Sequence, residues 1–377
     1  MAGYRIISAD SHVVEPDDLW LNRIEPEFKD RVPRVVRTET GGDFWFIGDD
    51  RFLSLAFAGA QTGKRFEDPT NMSFDEPFEN VRPGGYDPDE HVKDMDIDGV
   101  DIGIVYPSLG LVLYRIPDSE LLSALFRTYN DWVGDFCSAN PKRIKGIAML
   151  NVDNVQVGVK ELERCAKKGF VGAMITSYPI ESKRYYLPEY EPLWAAASDL
   201  EMPLSLHAAT NRGGSGIAAP VPGEHDGGRA ASQCNFDHFG RVNVTDLIFN
   251  GVFERYPKLQ IGCVEQQVSW APHLVDRMDY NYKQRSGGMT GKRFKNDMLP
   301  SDFFRQNVFI GFQEDALGVQ LRDYIGVETL QWGSDYPHEE STFPRSRETL
   351  EEILAGCTEE EKALIAGGNA ARINRLD

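Results

Sequence analysis

The stretch IKGIAMLNVDNVQVGVKELERCAKKGFVGAMIT, residues 144–176, places two short apolar runs on either side of a helical pattern. The runs at 144–150 and 171–176 are nearly continuous in apolar residues, which is typical of parallel strands buried on both faces. Between them, residues 155–168 read as a helix that carries lysines in its last turn and ends at Gly169. A strand, a helix and a second strand in this order predict an α/β fold.

Similar apolar runs recur along the whole chain. They lie at 4–9, 101–106, 203–207, 259–265, 307–311 and 329–333, and further helical patterns lie at 121–139 and 190–200. Eight strand candidates that alternate with helices are what a (β/α)8 TIM barrel requires, and we predict that fold. A doubly wound open sheet would alternate in the same way, but no G-x-G-x-x-G follows the first strand candidate.

Three stretches are too long to be ordinary connections, and they follow the first, fifth and sixth strand candidates. They run from 11 to about 90, from 208 to about 240 and from 280 to about 305. The first contains DFWFIGDDRFLSLAFAGAQTG, residues 43–63, which predicts a β-hairpin and a loop. Insertions after barrel strands lie over the catalytic face. We therefore predict one domain, 1–377, with an inserted hairpin or lid segment at about 30–85.

The composition excludes several classes of partner. With 40 basic and 59 acidic residues the net charge is -19, which argues against nucleic acid and anionic membranes as partners. No apolar run approaches the roughly 18 residues of a membrane span, and the first residues do not read as a signal peptide. The five cysteines are scattered, with no C-x-x-C, as expected of reduced thiols. These features predict a cytoplasmic protein that acts on a small molecule.

The histidines and acids at the strand ends predict a metal site. Asp10 and His12 follow the first strand candidate, and residues two apart on an extended chain point to the same side. His207 closes the fifth candidate and Asp335 follows the eighth, so these residues meet at the face where barrels build active sites. Two imidazoles and two carboxylates suit zinc, with manganese or iron as alternatives. We predict one divalent ion held by these four side chains.

Other polar residues near strand ends are candidates for a role beside the metal. His338 follows Asp335 closely and is expected to orient the ligands or to touch the substrate. Arginine pairs well with carboxylates, which makes arginines of the long loop after the fifth strand candidates for substrate binding. The predicted substrate contacts are His238, Trp270, Arg212 and Arg229. His91, within DEHVKDMD, is expected on a helix surface.

Several motifs give the chain a recognisable likeness. They are ADSHVVEP (9–16), MDIDGVDIGIVYPS (95–108), LPEYEPLWAAASDLEMPLSLH (187–207), GVFERYPKLQIGCVE (251–265), GSDYPH (333–338) and GGNAARI (367–373). In these motifs, and in their order, the chain resembles the amidohydrolase-related branch that includes aminocarboxymuconate-semialdehyde decarboxylase and γ-resorcylate decarboxylase. The resemblance extends over the whole domain, and it implies that Asp335 is both a metal ligand and a proton carrier.

One departure from that family concerns the sixth strand. In the decarboxylases it ends in a Gly-His pair whose histidine assists acid–base chemistry, whereas this chain has Val264-Glu265. Glu265 is then an acid or base in its own right, a further metal ligand, or an anchor for a substrate hydroxyl.

The resemblance implies a metal-dependent enzyme that removes CO2, without oxidation, from a small aromatic or unsaturated carboxylate. Its expected catalytic residues are Asp335, Glu265 and His338. Metal-dependent hydrolysis of an ester, lactone, amide or C–C bond stays open as the alternative, and a non-catalytic binding protein is the remote one. Relatives suggest a homodimer or a larger homo-oligomer.

Overall fold

Eleven strands organise the chain, in a computed structural model that describes residues 3–73, 75–212, 233–285 and 293–376. They are β1 Ile7–Val13, β2 Arg34–Arg37, β3 Asp43–Ile47, β4 Asp50–Ser54, β5 Ile102–Pro107, β6 Ile144–Met149, β7 Gly172–Ile175, β8 Leu204–His207, β9 Ile261–Val264, β10 Val308–Phe312 and β11 Leu330–Trp332. Eight of them pair in the order β1-β5-β6-β7-β8-β9-β10-β11, and these pairs are parallel. The predicted (β/α)8 TIM barrel is confirmed.

Helices alternate with the barrel strands. They are Leu19–Arg23, Pro88–Asp98, Leu109–Leu113, Ser119–Ala139, Val155–Lys167, Glu191–Asp199, Asp237–Phe249, Val252–Arg255, Trp270–Arg285, Pro300–Asn307, Ala316–Gln320, Ser346–Ile353, Glu359–Ala363 and Asn369–Asn374. Side-chain caps fix where two of the predicted helices begin. The Asp118 carboxylate accepts from two backbone N–H groups of the helix that starts at Ser119, and Asn154 does the same before Val155. Within the described ranges, no helix is long and apolar enough to cross a membrane.

The first strand runs further than the sequence predicts. Apolar residues end at Ala9, yet β1 continues to Val13, and His12 pairs in register with Tyr106 of β5. An irregularity between Ser8 and Ser11 shifts the register. Asp10 and His12 therefore lie inside the strand rather than just after it. The polar residues are tolerated because they contact other polar groups: His12 Nε2 lies 3.3 Å from Asp10 Oδ1 and 3.1 Å from Asp335 Oδ1.

The barrel closes where β1 meets the segment after β11. The Asp335 N–H donates to the Asp10 carbonyl at 2.8 Å, and the Ser334 N–H donates to Ser8 Oγ at 2.9 Å. Gly333 makes this approach possible, since a Cβ at that position would lie 2.4 Å from Asp10 Cβ. Closure thus brings the first and last strands of the barrel, and the side chains they carry, into contact.

The insertion after β1 forms a three-stranded antiparallel sheet in the order β2-β3-β4. The hairpin predicted from residues 43–63 corresponds to β3 and β4, and β2 is an additional strand. Further along the insertion, Thr62 Oγ1 donates to the Pro337 carbonyl at 2.5 Å and Arg65 Nε donates to the Ser341 carbonyl at 2.8 Å. Arg65 also pairs with Glu314 at 2.6 Å. The insertion is therefore fixed to the turn that follows β11.

His91 lies in the interior, and the predicted surface position is wrong. Its side chain is 0% exposed, and Nδ1 lies 2.7 Å from the Gly84 carbonyl. The ring meets Phe136 and Tyr336 edge to face. The surrounding charges suggested a solvated helix, but Asp94 on the same face is itself buried and is paired with Arg82 at 2.6 Å.

Candidate metal centre

Five polar side chains converge at the carboxyl ends of four barrel strands. Asp10 and His12 come from β1, His207 closes β8, Glu265 follows β9 and Asp335 follows β11 by a short turn. Four of these residues are 0% exposed, namely Asp10, His12, His207 and Asp335, and Glu265 is 8% exposed. Burying this many polar groups together costs free energy unless they are paired or bind an ion, so the arrangement points to a functional site.

The backbone directly after these strands is strained. Ala209, Glu265 and Asp335 have φ values of 62°, 56° and 58°, in the left-handed region that non-glycine residues rarely adopt. Such conformations cost on the order of 1–3 kcal/mol each and cluster at active sites and ligand clamps. Glu265 and Asp335 thus combine strained backbone with acidic side chains whose oxygens belong to the cluster.

Each histidine of the cluster is oriented by a backbone carbonyl. His12 Nδ1 lies 2.8 Å from the Pro107 carbonyl, and His207 Nδ1 lies 3.0 Å from the carbonyl of Ala208. A carbonyl only accepts, so Nδ1 must carry the proton and Nε2 presents its lone pair in the neutral ring. This is the usual arrangement for a histidine that binds a metal through Nε2.

The Nε2 atoms point at carboxylates. His12 Nε2 lies 3.3 Å from Asp10 Oδ1 and 3.1 Å from Asp335 Oδ1, and His207 Nε2 lies 3.4 Å from Asp10 Oδ1. Two lone pairs that face each other repel unless a proton or a cation lies between them. Among the described residues, His12 Nε2 and Asp335 Oδ2 are buried without any hydrogen-bond partner. These two atoms therefore fit a bound cation.

The spacing of the donor atoms also fits an ion. One ligand atom from each of Asp10, His12, His207 and Glu265 lies within 4.8 Å of the other three, and a second such group joins His12, Asp335 and His338. Imidazole nitrogens with carboxylate oxygens suit zinc, manganese or iron. The predicted ligands Asp10, His12, His207 and Asp335 thus lie together, and Glu265 adjoins them.

The Asp335 carboxylate is in contact with His338, the residue that the sequence predicts to orient the ligands. His338 Nδ1 lies 3.0 Å from Asp335 Oδ1, and His338 Nε2 lies 2.8 Å from Ser108 Oγ. The His338 ring also stacks on His12 with the ring centroids 3.9 Å apart. These contacts fix the direction of the Asp335 carboxylate, so His338 is in place to orient a ligand and to exchange a proton with it.

Charge is concentrated in this buried space. Burial alone would lower the pKa of His12, but the carboxylates of Asp10 and Asp335 outweigh it and raise that pKa to about 10. Burial would raise the pKa of Asp10, yet His207 and His12 hold it below its ordinary value. The pKa of Glu265 rises well above its ordinary value, because the carboxyl is buried and faces Asp335 and other acids. The cluster therefore favours bound positive charge and a protonated Glu265.

A cavity of about 430 Å³ opens beside Glu265. Trp270 lines it, and its indole N–H donates to the carbonyls of Gln266 and Gln267 at 2.9 Å. Glu340 also lines it, and ligand atoms of Glu265, Asp335 and Glu340 lie within 4.8 Å of one another. Sequence reasoning missed Glu340, although it follows GSDYPH by only two residues and the pair Glu339-Glu340 was a visible signal.

Two of the other predicted substrate contacts, His238 and Arg212, lie elsewhere in the structure. His238 is exposed on the helix Asp237–Phe249 and lines a separate surface depression with Arg241. Arg212 is 5% exposed and donates to the carbonyls of Tyr114 and Ile116. It also pairs with Asp153 at 2.7 Å, so its terminal nitrogens bind protein atoms. Arg229 lies outside the described residues.

Several decarboxylases are similar to the chain in sequence. The γ-resorcylate decarboxylase of Polaromonas sp. is 23% identical over 303 residues, which cover 77% of this chain and 87% of that protein. The 2-amino-3-carboxymuconate-6-semialdehyde decarboxylase of Dictyostelium discoideum is 23% identical over 306 residues, which cover 80% of each chain.

Solved structures share the fold. An amidohydrolase from Mycobacterium avium subsp. paratuberculosis superposes with a TM-score of 0.79 at 21% identity, over 99% of this chain and 98% of that one. A 5-carboxyvanillate decarboxylase from Novosphingobium aromaticivorans, complexed with manganese and 4-hydroxy-3-methoxy-5-nitrobenzoic acid, gives a TM-score of 0.68 at 19% identity. That match covers 100% of this chain and 97% of the other.

A family model described as amidohydrolase matches residues 80–376, which is well over half of the chain. The matched region contains His207, Glu265 and Asp335, and it includes the helix Asn369–Asn374. The resemblance that the motifs indicate is confirmed, and the chain belongs to the amidohydrolase family.

Proposed function

We propose that this protein is an enzyme that removes CO2, without oxidation, from a small aromatic or unsaturated carboxylate, using one divalent ion. The observation that carries the proposal is the buried cluster in which His12 Nε2 faces two carboxylates, and in which His12 Nε2 and Asp335 Oδ2 have no hydrogen-bond partner among the described residues. The sequence relatives, which are γ-resorcylate and aminocarboxymuconate-semialdehyde decarboxylases, support this reaction class.

Asp10, His12, His207 and Asp335 are the proposed ligands. When bound, the ion supplies a Lewis acid for substrate oxygens and offsets the negative charge of the site. Gln313 Nε2 donates to Asp10 Oδ2 at 3.3 Å, which fixes one ligand from behind. The carbonyls of Pro107 and Ala208 fix the two imidazoles in the same way. The chain thus supplies a ligand set that is already oriented before substrate arrives.

Glu265 is the proposed proton donor to carbon. It lines the cavity, and one of its carboxyl oxygens lies within 4.8 Å of ligand atoms of Asp10, His12 and His207, which places it beside both the cavity and the cluster. The bond between the substrate carbon and its carboxylate breaks, the electron pair stays on that carbon, and CO2 leaves. The Glu265 carboxyl then donates its proton to form the C–H bond and takes a proton back from solvent. Burial and the neighbouring acids raise the pKa of Glu265, which favours the protonated form that this donor role requires.

Hydrolysis is the second candidate, and the contact between Asp335 and His338 favours it. His338 Nδ1 lies 3.0 Å from Asp335 Oδ1, so the pair can take a proton from water and return it to a leaving group. The two reactions differ in their products. Release of CO2 from a hydroxybenzoate identifies the decarboxylase, whereas release of acid from an aryl ester without CO2 identifies the hydrolase.

Zinc is the ion that we propose from the donor set, and manganese is the alternative. Nitrogen and oxygen donors accept both, and a neighbouring decarboxylase structure contains manganese. We further propose a homodimer or larger homo-oligomer, which native mass spectrometry measures directly. All five cysteines are free thiols, which supports the proposed cytoplasmic location.

The deciding experiment measures metal content and product together. We expect about one divalent ion per chain in the wild type, measured by inductively coupled plasma mass spectrometry, and loss of that ion in His207→Ala. His273→Ala is the matched control, because His273 is an exposed histidine on the helix Trp270–Arg285. CO2 release from a panel of hydroxybenzoates then tests the reaction. A wild type that binds no divalent ion refutes the proposal.

A further inference from the structure

Glu15 is a buried acid that the proposed chemistry does not use. Its side chain is 1% exposed, and it lies two residues after the end of β1. Burying a carboxyl costs free energy unless its oxygens are hydrogen-bonded. Oε2 of Glu15 accepts from the N–H groups of Ser108 at 3.3 Å and Leu109 at 2.9 Å, and Oε1 accepts from the Gly110 N–H at 2.9 Å. Both oxygens thus hold one short segment, residues 107–110, which we call the 107–110 turn.

The 107–110 turn is tightly packed. A Cβ at position 110 would lie 2.5 Å from Pro107 Cβ and 2.7 Å from Met149 Sδ, closer than ordinary van der Waals contact allows. Glycine at position 110 therefore lets the chain fold back against Pro107 at the end of β5. With the Glu15 carboxyl on its N–H groups and this close contact behind it, the turn has a defined position.

The same turn orients His12, one of the proposed metal ligands. Val13 of β1 pairs in register with Pro107, and the Pro107 carbonyl lies 2.8 Å from His12 Nδ1. Because a carbonyl only accepts, its position sets the direction in which the neutral imidazole presents Nε2. A displacement of the 107–110 turn would therefore redirect this ligand.

The turn also holds His338. Ser108 Oγ donates its single proton to the Val13 carbonyl at 2.8 Å, so at 2.8 Å from His338 Nε2 it can only accept. The other ring nitrogen, His338 Nδ1, lies 3.0 Å from Asp335 Oδ1. The 107–110 turn is therefore linked through His338 to a second proposed ligand.

We propose that Glu15 is a positioning residue for the metal centre, because it fixes the 107–110 turn and the turn fixes the imidazoles of His12 and His338. The inference rests on the proposed metal-dependent function, and it adds a residue that acts on the ligands only through this turn. A purely structural role for Glu15 would stabilise the fold without any effect on the affinity for the ion. The two roles are therefore separable by experiment.

Glu15→Gln is the variant that tests the proposal. The amide keeps the size of the side chain, but its NH2 group would face a backbone N–H where an oxygen now accepts. Calorimetric titration of the metal-depleted, full-length chain with manganese gives the Kd of the ion. We expect this Kd to rise by about tenfold or more, because removing a group that orients metal ligands typically costs 10–100-fold in affinity or activity. The visible absorption of the cobalt-loaded protein, which depends on ligand geometry, should change as well.

Asp43→Asn is the matched control. Asp43 is 4% exposed, and both of its oxygens accept, from the guanidinium of Arg37 and from the Phe78 N–H. Its partners belong to the inserted sheet and to the segment after it, away from the 107–110 turn. Asp43→Asn should lower the free energy of unfolding, as Glu15→Gln does, but it should keep the wild-type manganese Kd and cobalt spectrum.

Ser108→Ala tests one branch of the route. It retains the Glu15 carboxyl and removes only the hydroxyl that holds His338. We expect it to raise the manganese Kd by less than Glu15→Gln does, because the Pro107 carbonyl still orients His12, but by more than Asp43→Asn does.

The outcomes separate this inference from the proposed function. A Glu15→Gln protein that unfolds more easily but keeps the wild-type manganese Kd and cobalt spectrum overturns the inference, since Glu15 then only stabilises the fold. If Glu15→Gln does not fold, Ser108→Ala decides, and an unchanged Kd in that variant overturns the inference. A wild type that binds no divalent ion refutes the proposed function and the inference with it. If Glu15→Gln weakens metal binding but the wild type releases no CO2, the inference stands and the decarboxylase fails.

Discussion

Acidification is expected to destabilise the fold through His91. The folded state holds this imidazole neutral, because burial lowers its pKa from 6.5 to about 4, against opposing effects of the Gly84 carbonyl and Asp94. Below pH 6.5 the unfolded chain binds a proton here that the folded chain does not, so stability falls as the pH drops from 6.5 toward 4. The linkage relation gives a loss of about 2 kcal/mol between pH 7 and pH 5, and about 3 kcal/mol in the low-pH limit.

Denaturant unfolding of the wild type and of His91→Gln at pH 7 and pH 5 measures this loss. Other titrating groups are common to the two proteins, so the difference between their pH dependences isolates position 91. We expect the wild type to lose about 2 kcal/mol more than the variant between these pH values. Equal losses in the two proteins would refute the reasoning, because His91 would then titrate alike in the folded and unfolded chains.

Three further results are expected. Glu265→Gln should retain the metal but lower kcat by about 10²-fold or more, since a positioned acid contributes that much; unchanged CO2 release would assign the proton to another group. Gly333→Ala should lower the free energy of unfolding, measured by denaturant titration, by roughly 1–3 kcal/mol or more, because its Cβ would lie 2.4 Å from Asp10 Cβ. Gly356→Ala is the control and should be nearly neutral, because a Cβ there meets nothing within 4 Å. Chelation should lower Tm, because an ion at about 100 times its Kd contributes roughly 2.7 kcal/mol of stability; an unchanged Tm would contradict a metal bound only by the folded chain.

Local patterns were sufficient to predict the barrel. Each strand candidate is a short apolar run, and burial on both faces makes that pattern visible without any knowledge of tertiary contacts. β1 was misplaced because its second half is polar, and nothing local shows that Asp10 and His12 continue the strand. His91 was misassigned for a related reason, since the buried pair of Arg82 and Asp94 beside it reads as surface charge in the sequence.

The convergence of the four proposed ligands was predictable because the strand ends of a barrel meet at one face, so position along each strand was enough to bring these residues together. The hydrogen bonds that Gln313 makes with Asp10 and with Gln267 were not predictable. The bonded residues lie 303 and 46 positions apart in the sequence, and glutamine carries no local signal for such contacts. Likewise, the contacts of Arg212 with the carbonyls of Tyr114 and Ile116 depend on the fold and not on any motif.

The meeting of β1 with the segment after β11 has a consequence for how the protein matures. The proposed ligands include Asp10, near the beginning of the chain, and Asp335, near its end, and the two are joined by a backbone hydrogen bond of 2.8 Å. A nascent chain still attached to the ribosome at residue 300 lacks Asp335 altogether. We therefore expect metal uptake to follow synthesis beyond residue 335, so that a loaded ion marks a chain in which β1 has already met the segment after β11.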